Sequence, residues 1–163
     1  MNEMFPLNTG ITELRSLIKL AKDNGNSIVL SKVAEETKKG IDVLLPLVDA
    51  CRMLGLCSVS EGSIHLTEYG VNLTAGNMRN ELSRQLAKTE PFKHVLEIVG
   101  LQKRITTGKL ADLLSGAGIT LYTEKSVDAE LLKTLLLKWA VRLRMLSYDT
   151  NTDTWTIPTK PAK

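Results

Sequence analysis

Few residues in this 163-residue sequence are of types and spacings that do chemistry. The only histidines are His65 and His94, and the only cysteines are Cys51 and Cys57. His65 falls in a stretch that reads as a strand and His94 in one that reads as a helix. Neither has a serine or cysteine partner that spacing identifies. The cysteines stand six positions apart, which fits no zinc signature, so both read as small core residues. Glu35 and Glu36 are adjacent carboxylates, but neighbours on a helix point in different directions and do not share a site. Gly108-Lys109 lacks the upstream glycine of a phosphate-binding loop and is followed by Leu110, so nothing there would cradle phosphate or hold magnesium. The expectation is a protein without catalysis, metal or cofactor.

The remaining chemistry is charge. A helical stretch from Ser126 to Leu143 places Leu132, Leu136, Trp139 and Leu143 on one stripe. Lys133, Lys138, Arg142 and Arg144 lie outside that stripe, and so do Leu137 and Val141. Apolar residues one turn apart and flanked by cations suit a protein partner or a homodimer seam. The same cations would suit duplex DNA. Burial of Leu137 and Val141 under another element is the plain structural alternative.

These residues need elements to position them. Apolar residues make up 43% of the chain and charged residues 24%, as in a soluble protein with a real core. No apolar run approaches the roughly 20 residues of a membrane span. Met1–Gly10 shows no basic patch followed by an apolar run, so the expected location is the cytoplasm. Asn72-Leu73-Thr74 is a glycosylation sequon that would be silent there. Net charge is +3, all of it in residues 89–163, because residues 1–88 carry ten cations and ten anions. That balance permits nucleic-acid binding without requiring it.

Ile11, Leu14, Leu17, Ile18 and Ala21 have helical spacing, with Thr9 or Thr12 as a cap and Asn24-Gly25-Asn26 as a stop. Ser27–Leu30 reads as a short strand. Ser31 is the expected cap of a second helix that turns Val33 and Ala34 inward and ends at Gly40. A third helix runs over 41–54, its inner stripe Val43, Leu44, Leu47, Val48, Cys51 and Leu54, with Pro46 near its first turns. Leu56–Val59 and Ser63–Leu66 alternate around Glu61-Gly62, a hairpin, and Thr67 is placed to cap the next helix. Tyr69–Leu86 reads as helix interrupted at Thr74-Ala75-Gly76.

The second half repeats the outline. Phe92–Leu101 is a helix, Thr107 caps Gly108–Leu114, and the 126–143 helix leads to strands at Leu146–Asp149 and Thr154–Ile157. LSKVAEE at 30–36 is echoed by TGKLADL at 107–113, and RMLGLCSV at 52–59 by RMLSYD at 144–149. The expected fold class is mainly α with small β-hairpins, in two tandem winged-helix units, 1–88 and 89–163, meeting near Thr89-Glu90-Pro91. A DNA-reading third helix needs basic or amide side chains outward. The outer face of 41–54 collects Asp42, Leu45, Asp49, Arg52 and Met53, and the first wing tip adds Glu61, so this unit suits phosphates poorly. Aromatic residues, at 4%, are too few for a base-stacking platform.

Three long stretches resemble a known family: FPLNTGITELRSLIKLAKDNG at 5–25, LSKVAEETKKGIDVLLPLVDACRMLGL at 30–56 and VSEGSIHLTEYG at 59–70. ELSRQLAKTEPFKHVLEIV at 81–99 and SYDTNTDTWTI at 147–157 extend the likeness, and Ile41–Leu47 resembles its acidic-Leu-Leu-Pro-Leu step. The family is the AAA-associated C-terminal domain, which follows the ATPase domain in ATP-binding proteins of nitrate, sulfonate and taurine-type ABC transporters. The resemblance implies a cytosolic regulatory or accessory module without catalysis of its own, in contact with a transporter ATPase. The ATPase domain itself is not in this sequence. Met1 suits a free-standing start, and the alternative is a part of a longer ATPase.

Overall fold

The computed structural model describes residues 5–6, 9–119 and 128–158. The chain forms two compact units that divide after Glu81. Each is mainly helical and carries one three-stranded antiparallel sheet.

In the first unit α1 (Ile11–Asp23) buries Ile11, Leu14, Leu17, Ile18 and Ala21, the stripe expected from spacing. Its N-cap is Gly10, without a side-chain bond, rather than Thr9 or Thr12. Gly25 and Asn26, at φ of +77° and +72°, stop the helix and turn the chain into β1 (Ser27–Val29). α2 (Leu30–Thr37) comes directly after it, so its cap is Val29 and not Ser31; Val33 is buried and Ala34 half-buried. α3 (Ile41–Met53) buries Leu44, Leu47, Val48, Ala50 and Cys51. Pro46 is its sixth residue, which leaves the Asp42 carbonyl without its usual donor at an exposed position. Val43, expected in the core, is 56% exposed. Ala50, a small residue, takes a core position instead.

β2 (Cys57–Ser60) and β3 (Ser63–Leu66) pair in the register Val59↔Ile64, with Glu61 and Gly62 at φ of +49° and +75° between them. Two successive positive φ values make the tight turn that matches the twist of a hairpin. β1 joins on the other side of β3, giving the order β1-β3-β2. α1 packs on this sheet and on α3. α4 (Glu68–Val71) starts at Thr67, whose hydroxyl donates to the Gly55 carbonyl at 2.7 Å and accepts from the Gly70 amide at 3.1 Å. α5 (Met78–Leu86) comes after the interruption at 74–76 and runs across the division between the units.

The second unit repeats the order: α6 (Phe92–Gln102), β4 (Ile105–Thr106), α7 (Thr107–Gly116), α8 (Ala129–Leu136), a π-helical segment (Leu137–Val141), β5 (Ser147–Asp149) and β6 (Thr154–Thr156). Its sheet order, β4-β6-β5, repeats the first sheet's pattern of opening strand, last strand, middle strand. β4, two residues long, escapes sequence reading because so short a strand has no periodicity. The cap of α7 is Thr106, which accepts from the Lys109 amide, rather than Thr107. Ser126, the expected start of this helix, lies outside the described residues; α8 is capped by Asp128, which accepts from the amides of Glu130 and Leu131 at 2.9 and 3.1 Å. Among the described residues no helix is long and apolar enough to cross a membrane.

Gly70 lies against the corner between α3 and β2. A Cβ there would sit 2.1 Å from the Leu56 carbonyl oxygen, which already accepts from the Thr67 amide at 2.9 Å. Gly100, within α6, faces open space. Gly70→Ala is expected to cost about 2–3 kcal/mol through backbone displacement. Gly100→Ala is expected to gain about 0.5–1 kcal/mol through helix propensity. Chemical denaturation of both variants checks the contrast.

Candidate functional site

The helix that carries the sequence-derived contact residues is held by a polar network at its hairpin. Asp153 sits at φ of +52° between β5 and β6. One of its oxygens accepts from the Thr107 hydroxyl at 2.5 Å and from the Tyr148 hydroxyl at 2.6 Å. The buried Trp155 donates its ring N–H to the Thr107 oxygen at 2.8 Å. Tyr148 leans on Trp155 with ring centroids 4.4 Å apart, and the Lys133 ammonium lies 5.2 Å from the centre of the Tyr148 ring. This explains why Thr107 does not cap α7: its hydroxyl is committed to residues 46 and 48 positions away.

The bonds from Thr107 first, then Tyr148, with the Lys133 charge adding to them, hold the Asp153 carboxyl below its usual range. Tyr148 first, then Glu130 and Asp153, hold the Lys133 ammonium above its own.

Beyond α8 the π-helical segment adds a residue to the turn and shifts the phase of the residues after it. Leu132, Leu135, Leu136, Trp139, Ala140 and Leu143 are buried. Leu137 and Val141 are half-buried, not fully outward. Lys138, Arg142 and Arg144 are all exposed. Arg144, at φ of +61°, ends the helix by donating its amide to the Val141 carbonyl at 3.0 Å. Lys133 is half-buried and engaged with the hairpin, so its ammonium is occupied within the fold.

A family model for the C-terminal AAA-associated domain matches residues 31–149, from α2 to the end of β5. The chain belongs to that family. No curated protein matches it.

In the first unit of this AAA-associated domain the corresponding helix is α3. It exposes Ile41, Val43 and Leu45 by 44%, 56% and 45%, beside the exposed Asp42 and Asp49. Arg52, the cation of that face, lies 3.5 Å from the Asp49 carboxylate. Sequence reading places Asp42, Leu45 and Asp49 outward but misses Ile41 and Val43. The signal it lacks is their place in the first turn, where no preceding turn shields them.

The remaining candidates have local roles. Ser27 and His65, which face each other across β1 and β3, bond at 2.8 Å through the ring Nδ1. His94 Nδ1 lies 2.5 Å from Glu90. Cys51 and Cys57 are both free and buried in the core. Their thiols share a hydrogen bond, which together with burial pushes the Cys51 thiol well up. Among the described residues no three metal-binding side chains cluster.

The lowered Asp153 value sets a pH window. Its stabilising effect is present above the ordinary carboxylate value, about 3.9, and is lost as pH falls through the folded value below it. Asp153→Asn is expected to lower stability at neutral pH by about 1–2 kcal/mol and to reduce the acid-side loss. Thermal melts of both proteins from pH 7 to about pH 3 measure it.

Proposed function

We propose that this AAA-associated domain is a non-catalytic, cytoplasmic accessory module of an ABC-type ATPase, acting through protein contacts, and that each unit is a winged helix. The order helix, strand, helix, helix, hairpin in both units, with matching sheet orders, supports the second part. The outward face of α3 carries the first part. In a DNA-reading winged helix that face enters the major groove and must meet phosphates. Here it offers Ile41, Val43 and Leu45 with Asp42 and Asp49, which favours an apolar surface with cations around it over a polyanion. The second unit contributes a surface of opposite charge, Lys138, Arg142 and Arg144 around the half-buried Leu137 and Val141. Docking on either surface would bias the ATPase between states that differ in that contact.

The cations of the second unit also support a second reading, a regulator that binds duplex DNA through Lys138, Arg142 and Arg144, with Lys133 drawn from its place over Tyr148. One experiment separates the two. The purified protein is titrated into the ATP-binding subunit of a nitrate, sulfonate or taurine-type ABC transporter, and in parallel into random duplex DNA at low and moderate salt. The expected result is association with the subunit and a changed rate of ATP hydrolysis. Val43→Asp, at an exposed position, should weaken that association by about tenfold. Absence of association, with DNA binding that falls steeply with salt, would overturn the proposal in favour of the regulator. Sedimentation of the protein alone reports a homodimer, which would place one of these faces in self-contact.

A further inference from the structure

A groove of about 540 Å³ runs along α1 in the first unit, closed on its other side by residues 73–78. Its size is that of a site for a small molecule. The two walls differ in chemistry. α1 contributes three cations at successive turns, Arg15, Lys19 and Lys22, against a single carboxylate, Asp23. Ile18 and Leu73, both almost fully buried, and Met78 supply apolar lining.

The cations are not equivalent. Lys22 is half-buried and donates to the Leu73 carbonyl, which ties α1 to the opposite wall and fixes the groove's width. Lys19 lies 3.3 Å from Asp23, and both side chains are well exposed, so this pair is weak and open to exchange. Arg15 is exposed and has no hydrogen-bond or ion-pair partner among the described residues. Its planar fork suits the oxygens of a carboxylate, sulfonate or phosphate. A surface evolved only for solubility would intersperse both signs of charge. Here one sign dominates beside apolar lining.

We infer that this groove binds a small organic anion with an apolar body, its charged group on Arg15 and Lys19 and its body against Ile18, Leu73 and Met78. The inference does not depend on the ATPase reading. It gives the first unit a ligand site distinct from the α3 face.

Anilinonaphthalene sulfonate, an apolar anion, is the probe. It is titrated into the full chain by fluorescence, with amide chemical shifts recorded alongside. Phenylnaphthylamine supplies the apolar body without charge, and inorganic phosphate the charge without the body. The expected result is saturable binding of the sulfonate, with shifts concentrated on α1 and residues 73–78, and much weaker binding of both comparators. Arg15→Ala should weaken binding by about tenfold, the loss of one charge-assisted contact. Arg15→Lys should restore part of it. Ser16→Trp, which fills the groove from an exposed position, should abolish it, and Lys39→Glu, beyond the far end of α2, should leave it unchanged. No saturable binding, shifts elsewhere, equal binding of either comparator, or affinity insensitive to Arg15→Ala would overturn the inference. Far-ultraviolet circular dichroism of each variant separates lost binding from lost fold.

Discussion

The second unit depends on one carboxylate. Asp153 accepts two hydroxyl bonds on a single oxygen, from the first residue of α7 and from β5, and one of those hydroxyls in turn receives the ring N–H of Trp155. Hairpin, helix and aromatic core are therefore joined by one chain of donors that leads to one charge. A buried tryptophan brings a polar N–H into the core, and that N–H must find an acceptor or lose a hydrogen bond. Thr107 supplies the acceptor, and Asp153 then accepts the hydrogen bond that the Thr107 hydroxyl has to donate. Lys133 closes the arrangement by standing over the tyrosine. The side of the helix that remains outward, with Lys138, Arg142 and Arg144, is set by this attachment.

The first unit reaches the same topology by other means. Its corner between α3 and β2 is clamped through the backbone: the Leu56 carbonyl takes the Thr67 amide, the Gly55 carbonyl takes the Thr67 hydroxyl, and Gly70 is small enough to lie against the Leu56 carbonyl. Its core around the sheet is aliphatic, with Ile28, Ile64, Leu44 and Leu56 buried and no tryptophan. Two units with one order of elements thus differ in what joins hairpin to helices. They also differ in what they show to solvent, acidic and apolar on α3 against basic on the later helix.

Much of this is legible in the residues. Helix α1 and its five buried residues are readable from spacing alone, and the first hairpin from Glu61-Gly62 and the alternation on either side. Thr67 is readable as a cap because nothing nearby competes with it. The cap of α7 is not, and the reason is long-range. Thr106 and Thr107 are chemically identical neighbours, and only Asp153 and Trp155 decide which one is free to cap. A helical wheel assigns Val43 to the buried stripe, whereas the first turn of α3 projects beyond the elements that cover the rest. The wheel also assumes a regular helix at Leu137 and Val141, and the π-helical segment displaces them. The groove on α1 is invisible to local pattern because its second wall comes from residues 73–78, more than fifty positions from the cations that face it.

The hairpin around Asp153 has a consequence for how its sequence can drift. Asp149 and Asp153 look like an acidic tip, but Asp149 accepts the Asn151 amide and Asp153 points back into the unit. Of the two charges only that of Asp153 is turned inward, while Asp149 stays exposed. Thr150 and Asn151 are exposed, with only the second joined to this scaffold, and through its backbone alone. Substitution can therefore accumulate at those two positions while residue 153 is held to a short side chain with an acceptor that tolerates positive φ. A lineage could thus repaint the outside of this hairpin, and change what it meets, without disturbing the attachment beneath it.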